Sequence, residues 1–261
     1  MALLTTKTAF WRMTMFRLLK ALPVTLAIAA LSLFTSCSSS SHTQIRVINA
    51  IPDAQGALDV DFNGNKITGT TPLAFGSIFP ATNPPATYAS EPSGSGTITA
   101  YVTGTTVNPV NNGNSSFNSS TEYTVVLQGF AAANNTPAVL TDNNTAPAAN
   151  TLEYRVINAS PSSPGGSVDV YIYQSQSSIP ASPQISGLTL GQGFYVQSLP
   201  YSSSSGYTVV VTAHGAGNQG IAYVNQNYTP ANGSITTLVL VDNSPENGLM
   251  SSFPLAFSDL N

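Results

Sequence analysis

The sequence contains the same short motif twice. Residues 46–50 and 155–159 both read R-V-I-N-A, and each motif is followed by a proline and then by a G-x-x-D-V segment. The two copies lie about 109 residues apart, which is too long for the repeat of a solenoid and close to the length of a small domain. The repeat therefore predicts a tandem duplication of one domain.

Short β-type segments dominate both copies. Runs rich in Val, Ile, Thr, Tyr and Phe are separated by clusters of Gly, Pro, Asn and Ser, and helical periodicity is not seen after the amino-terminal region. About seven short strands in each copy are typical of an antiparallel sandwich. The predicted fold class is all-β, with two tandem antiparallel β-sandwich (immunoglobulin-like) domains after a cleaved signal peptide.

The predicted strands follow these runs. In the first copy they are 45–49, 58–62, 97–103, 123–128 and 139–141. In the second copy they are 154–158, 168–173, 193–198, 207–212, 221–226, 235–241 and 255–257.

The domain limits follow from the same comparison of the two copies. The end of the first copy resembles both 240–243 and 254–259, and the second match is preferred because it aligns Pro137 with Pro254 and keeps the strand order. The predicted organisation is a signal peptide at 1–36, a tether at 37–43, a first sandwich at 44–142, a linker at 143–151 and a second sandwich at 152–261. A linker of this length predicts some independent orientation of the two domains.

The amino-terminal segment differs from the rest of the chain. Arg12, Arg17 and Lys20 precede an apolar run of roughly 14 residues, 21–34. This run is shorter than the ~20 residues of a membrane-spanning helix. Basic, apolar and small residues in this order are typical of a secretory signal peptide that is removed. The predicted mature protein therefore begins after residue 36.

The only cysteine, Cys37, directly follows this segment and precedes the serine tract 38–41. Leu33-Phe34-Thr35-Ser36-Cys37 resembles a bacterial lipoprotein signal, which implies cleavage before Cys37 and a lipid on its thiol. The alternative is a stray cysteine, but a lone thiol in an exported chain has no disulfide partner. Ser38 in place of Asp resembles outer-membrane sorting, so the expected location is the bacterial cell envelope, lipid-anchored at the outer membrane or cell surface.

Several of the segments above also resemble a known family. R-V-I-N-A-x-P, the Asp-Val strand, a later Gly-Tyr-Thr-Val-Val strand and a closing Leu-Asp segment are similar to the bacterial domain of unknown function 4397. The resemblance covers nearly all of residues 44–260. It implies an exported or cell-surface protein, often with tandem copies, and it implies no particular activity.

The charge of the mature chain limits its partners. After removal of residues 1–36 three cations remain, Arg46, Lys66 and Arg155, against eleven acids, a net charge of −8. Three scattered cations cannot form the basic face that neutralises phosphates, so no nucleic-acid partner is expected. The expected partners are the membrane, through the lipid on Cys37, and a glycan or an envelope protein.

Two of those three cations occupy the same position in the repeat. Arg46 and Arg155 lie within apolar strands, where a guanidinium needs a carboxylate partner. Two repeated pairs of acids are available, Asp59 with Asp169 and Asp142 with Asp259, and the sequence does not choose between them. We expect structural ion pairs at Arg46, Arg155, Asp59 and Asp169 that fix strand register, the alternative being an anchor for an anionic ligand.

Other motifs point to chemistry only weakly. The segment 59–64 reads D-V-D-F-N-G and resembles the first half of a calcium loop. The second copy lacks this pattern, and Thr70 occupies the position where a calcium loop has its closing Glu. The preferred interpretation is a strand that ends in an Asn-Gly turn. Two isolated histidines, His42 and His214, and one cysteine do not match a zinc pattern. No metal, cofactor or catalytic residue is therefore predicted.

Function is predicted only as a class. The main hypothesis is a non-enzymatic cell-envelope lipoprotein serving adhesion, scaffolding or envelope maintenance. The alternative is a carbohydrate- or ligand-binding module at the cell surface, for which aromatic rings are the usual contacts. Its candidates are tyrosines of the second copy: Tyr171, Tyr173, Tyr195, Tyr201, Tyr207, Tyr223 and Tyr228. A weaker third hypothesis is a hydrolase that uses His214.

Overall fold

The computed structural model describes residues 41–54, 56–81, 87–105, 110–111, 114–131, 135–242 and 255–260. Regular structure in these residues is β-strand, apart from a single 3-10 turn at Pro164–Gly166. The prediction of an all-β fold is confirmed. Within these residues, no helix has the length and apolar character needed to cross a membrane.

Eleven strands lie in the first half of the described chain, residues 41–142. They are β1 (His42–Asn49), β2 (Leu58–Phe62), β3 (Asn65–Lys66), β4 (Ile78–Phe79), β5 (Ala89–Pro92), β6 (Gly94–Gly96), β7 (Ile98–Val102), β8 (Val110–Asn111), β9 (Ser115–Phe117), β10 (Glu122–Leu127) and β11 (Ala138–Thr141).

Eight strands lie in the second half, residues 151–260. They are β12 (Thr151–Asn158), β13 (Ser167–Gln174), β14 (Ile185–Thr189), β15 (Gly193–Pro200), β16 (Tyr207–Ala213), β17 (Ala222–Tyr228), β18 (Ile235–Leu240) and β19 (Leu255–Leu260).

Each half contains an inner and an outer sheet. The inner sheet of the first half has the order β11-β10-β1-β4, with β5 also paired to β1, and that of the second half has the order β15-β12-β18-β19. The outer sheets have the orders β3-β2-β7-β8 and β14-β13-β16-β17, and β6 and β9 form a separate ribbon. The immunoglobulin-like type and the count of two sandwich domains remain predictions.

The two inner sheets share the same central register. β1 pairs in parallel with β10 so that Arg46 lies beside Thr124, and β12 pairs in parallel with β18 so that Arg155 lies beside Thr237. These inner strands are buried on both faces, which explains their almost continuous apolar sequence. The outer strand β2 alternates buried apolar and half-buried acidic residues, as expected for a sheet with one face toward solvent.

Three clusters of buried apolar side chains lie between the sheets. One lies between the inner and outer sheets of the first half and a second lies between those of the second half. The third lies between the two inner sheets and contains residues of both halves: Ile48, Ala50, Ile78, Val126, Ala138, Ile157, Ala159, Val239 and Val241. The four sheets are therefore stacked in the order outer, inner, inner, outer.

This shared cluster corrects the expectation that the linker allows independent orientation of the halves. The described residues all fall within one compact unit, and the linker itself is held by hydrogen bonds. The Asn143 amide donates to the Tyr195 hydroxyl over 2.9 Å, and the Asn144 side-chain amide donates to Glu122 over 2.6 Å. The halves pack together because each inner sheet has a second apolar face that must also be buried.

Candidate functional site

A buried group of charged side chains lies between the two inner sheets, and Arg46 is one of its members. Alternation along β1 directs Ile45 and Val47 into the core of the first half and Arg46 toward the second half. The Arg46 side chain is 0% exposed, and its Nη1 lies 2.5 Å from an oxygen of Asp259 on β19. Its Nε lies 3.2 Å from Asp142. A residue of the first strand is thus paired with one of the last.

Arg155 makes the reciprocal contact from the second half. Its Nη1 lies 2.5 Å from Asp142, directly after β11 of the first half. The Thr124 hydroxyl accepts hydrogen bonds from Arg46 Nε and Arg155 Nη1, over 2.7 and 3.1 Å, and donates to Asp142. Each half therefore supplies an arginine to an aspartate of the other half, as in a two-fold symmetric interface.

A tyrosine covers each arginine. The Arg46 guanidinium carbon lies 5.4 Å from the centre of the Tyr88 ring, and that of Arg155 lies 5.3 Å from the centre of the Tyr195 ring. Both are cation–π distances. Tyr195 is the antiparallel partner of Arg155, and Tyr88 directly precedes Ala89, the partner of Ile45, so the two tyrosines are equivalent.

The electrostatics of this group favour its charged form. Burial alone lowers the pKa of Arg46, but Asp142 and Asp259 more than offset this, so the pKa is raised. Burial and the nearby Asp142 raise the pKa of Tyr88, which remains a neutral phenol that donates to Asp142 over 2.7 Å. Two arginines and two aspartates balance in charge. The group therefore acts as an internal cross-link and has no net charge with which to attract an ionic ligand.

Asp142 and Asp259 are thus the partners of the two arginines. The expectation that Asp59 and Asp169 take part in these ion pairs is wrong, because both lie on the outer sheets. Asp59 pairs with Lys66 over 2.7 Å on the outer sheet of the first half. Residues 58–66 form a hairpin whose turn residues, Asn63 and Gly64, have φ values of 52° and 76°. The preferred interpretation, a strand ending in an Asn-Gly turn, is confirmed.

Asp169 lies on the outer sheet of the second half, beside His214. One carboxylate oxygen lies 2.8 Å from His214 Nδ1, and the other accepts from the Gly215 amide over 2.9 Å. Burial raises the pKa of Asp169, but bonds from His214, Gly215, Gly187 and Ser186 outweigh it, so the pKa is lowered. The stabilisation from this carboxylate is thus present above its unfolded pKa of ~4 and is lost as the pH falls through the lower folded value.

The asparagine of each R-V-I-N-A motif ties its strand to a turn. The side-chain amides of Asn49 and Asn158 donate to the carbonyls of Leu73 and Leu188, over 2.9 and 3.0 Å. Each side-chain oxygen also accepts from the backbone amide two residues later. The motif therefore joins an interface arginine to a buried turn anchor, and every one of its residues has a structural role.

The tyrosines proposed for sugar contacts are mostly engaged inside the protein. Tyr171 and Tyr207 are buried, and Tyr201, Tyr223 and Tyr228 pack against the core of the second half. Tyr195 covers Arg155. Tyr228 differs because it also lines an open cavity, with Thr229, Pro230, Ala231, Ser234 and Thr236. Cys37 and the predicted signal peptide lie outside the described residues.

The sequence indicated that the two arginines need partners. It did not indicate that Tyr88, Thr124 and Tyr195 contact these arginines, or that Asp169 contacts His214. Tyr88 precedes Ala-Ser-Glu-Pro, which has no strand signal. The one available signal for Thr124 is its place in an apolar strand, where a polar residue needs a partner.

Comparison with known proteins agrees with the resemblance seen in the sequence. No curated protein matches the chain. Residues 43–171 match the family model described as a domain of unknown function, DUF4397. The matched segment contains both R-V-I-N-A motifs, and so both arginines of the interface and both asparagine anchors. This match supports the assignment of residues 43–171 to the DUF4397 family.

Proposed function

We propose that this protein is a non-enzymatic lipoprotein of the bacterial cell envelope that serves adhesion, scaffolding or envelope maintenance. The observation that carries the proposal is the amino-terminal sequence. Basic residues, a short apolar run and a single cysteine followed by four serines occur in the order of a lipoprotein signal. A lipid on Cys37 anchors the chain, because the mature sequence has too few cations to bind a membrane electrostatically.

The position of the first described strand supports this proposal. The Ser41 carbonyl accepts hydrogen bonds from the Ser93 amide and hydroxyl, over 3.0 and 2.9 Å, and β1 begins at His42. Residues 38–40 separate Cys37 from this fixed point, so the span from Cys37 to Ser41 is at most about 14 Å. The anchored chain therefore holds its first strand close to the membrane surface.

The use of charged residues supports a role without catalysis. Among the described residues, Arg46, Arg155 and Lys66 form ion pairs with aspartates, and His214 contacts Asp169. The four aspartates in these contacts thereby hold strands and loops together. Stacked sheets that are joined by a buried charged group suit a scaffold that presents its outer surfaces.

The test of the anchor is a Cys37→Ser substitution. We expect the parent protein in the membrane fraction, labelled by a fatty-acid analogue, and the variant unlabelled in the soluble fraction. Ser40→Ala serves as the matched control and should fractionate like the parent. A Cys37→Ser protein that stays in the membrane fraction would show that the thiol is not the anchor.

The second candidate function is a carbohydrate- or ligand-binding module at the cell surface. The cavity beside Tyr228 is the observation that favours it, because an aromatic wall with hydroxyl groups is the usual chemistry of a sugar contact. Both functions are compatible with a lipid anchor.

A further inference from the structure

A cavity of about 230 Å³ opens at one end of the second half. Tyr228 ends β17 of the outer sheet and Thr236 lies near the start of β18 of the inner sheet, and the segment 229–234 joins them. The cavity therefore lies where the two sheets of this half separate at the end of their core. Its volume is below the ~300–1,000 Å³ of sites for drug-sized ligands, so it admits a single small ring.

The segment that forms the rim is held in place by its own hydrogen bonds. The Ser234 hydroxyl donates to the Ala231 carbonyl over 2.7 Å, and the Gly233 amide donates to the Thr151 carbonyl of β12 over 3.0 Å. A rim fixed in this way does not have to be ordered when a ligand enters, which lowers the entropic cost of binding.

The chemistry of the lining selects a neutral, hydroxylated ligand. None of the six lining residues has an ionised side chain at neutral pH, and burial raises the pKa of Tyr228 to about 12. The lining combines an aromatic ring, the hydroxyls of Thr229 and Thr236, and the carbon atoms of Pro230 and Ala231. Such a surface can stack on the apolar face of a sugar ring and hydrogen-bond its hydroxyls.

A buried tyrosine, Tyr154, packs against the ring that lines the cavity. Tyr154 is 0% exposed, and its hydroxyl has no hydrogen-bond partner in the part of the chain that the structure describes. The Tyr154 ring packs edge-on against Tyr228, with 6.2 Å between centroids, and Tyr154 is the strand partner of Thr236. This packing holds the Tyr228 ring in place at the cavity wall.

The first half shows what closes such a cavity. In the parallel registers of the inner sheets, Tyr123 takes the place of Thr236 and Ile45 takes the place of Tyr154. Tyr123 is buried and packs edge-on against Phe117, with 5.3 Å between centroids. Large rings thus fill this end of the first half, and the smaller Thr236 leaves room in the second.

We propose that the cavity beside Tyr228 binds one neutral pyranose ring, such as the terminal residue of a glycan, stacked against the Tyr228 ring. The proposal does not depend on the lipid anchor or on the envelope location. It assigns the ligand to the second half alone.

The test uses the purified full chain carrying Cys37→Ser, so that its result is independent of lipidation. The probes are the methyl glycosides of glucose, galactose, mannose and N-acetylglucosamine, followed by saturation-transfer NMR and titration calorimetry. A ligand as small as one sugar ring corresponds to a Kd on the order of 1 mM. We expect at least one glycoside to bind at that level.

Thr236→Tyr is the decisive variant, because it gives the second half the residue that fills the first. Binding should fall at least about tenfold, and Ala231→Trp, which blocks the mouth from the rim, should have the same effect if Thr236→Tyr does not fold. Asn225→Ala, an exposed change on the same edge strand, should bind like the parent. The proposal is overturned if no methyl glycoside binds, or if a folded blocking variant binds as well as the parent.

Discussion

Arg46 and Arg155 occupy equivalent positions in two strands whose two faces are both buried. Each lies in a strand whose alternate side chains fill the core of its own half, and the alternation directs the arginine to the opposite face. On that face each guanidinium pairs with an aspartate of the other half, and Arg46 also contacts Asp142 of its own half. Both the arginines and the apolar residues around them are therefore buried by contact between the two halves.

We predict that Arg46→Met destabilises the protein by about 3–5 kcal/mol, because Asp259 is then a buried charge without its cation. The free energy of unfolding, measured by urea titration, checks this. Lys66→Met removes an ion pair whose lysine is 40% exposed and should cost about 0–1 kcal/mol. Similar costs for the two variants would contradict a special role of the buried pair.

Each R-V-I-N-A motif anchors a turn that lies further along the chain, at the start of a strand that pairs antiparallel with the motif strand. Residues 73–79 and 188–194 meet the motif in the same way: the amides of Gly76 and Gly191 donate to the carbonyls of Asn49 and Asn158, over 2.9 and 2.7 Å. Both glycines have positive φ, 75° and 79°, a conformation that favours glycine. The two turns also touch the other half, since Gly76 lies near Leu255 and Gly191 near Ala138.

Asn158→Ala is expected to weaken this element by about 1–3 kcal/mol, because buried groups of Ser160, Ser163 and Leu188 lose their partner. For a unit of this size each kcal/mol lowers Tm by about 2–4 °C, which a thermal melt resolves. Asn225→Ala, at an exposed strand position, is the control and should melt with the parent. An unchanged Tm for Asn158→Ala would show that the anchor is not needed.

At the scale of the whole molecule, the two halves behave as one folded unit because their inner sheets share an apolar cluster and reciprocal ion pairs. Each half contributes an arginine and an aspartate to the contact, as the two subunits do in the interface of a symmetric dimer. The linker contributes to this contact through Asn143 and Asn144.

A cut in the linker tests this unity. With a protease site inserted between the exposed Thr145 and Ala146, we expect the cleaved halves to co-elute in size-exclusion chromatography at the volume of the intact chain. The shared core and ion pairs hold them together without the covalent link. Adding Asp142→Ala removes a carboxylate that both arginines contact and should promote separation. Halves that separate without that change would contradict the shared interface.

The central strands could be predicted from sequence because their side chains carry strong β signals. All five strands predicted in the first copy and all seven in the second are present, with ends shifted by a few residues. Seven further strands were missed, namely β3, β4, β5, β6, β8, β9 and β14. Ala89–Pro92 and Ile185–Thr189 contain Pro, Ser or Gly, and they are strands because neighbouring β1 and β13 offer them hydrogen bonds.

What the sequence by itself determined is the β class, the internal repeat and the positions of two arginines that need partners, because local propensity and alternation are written in neighbouring residues. Tertiary structure alone decided that Asp142 and Asp259, and not Asp59 and Asp169, are those partners. Arg46 and Asp259 are 213 residues apart, and their contact depends on the packing of the inner sheets. That packing follows from the burial of a second apolar face, which no single strand reveals.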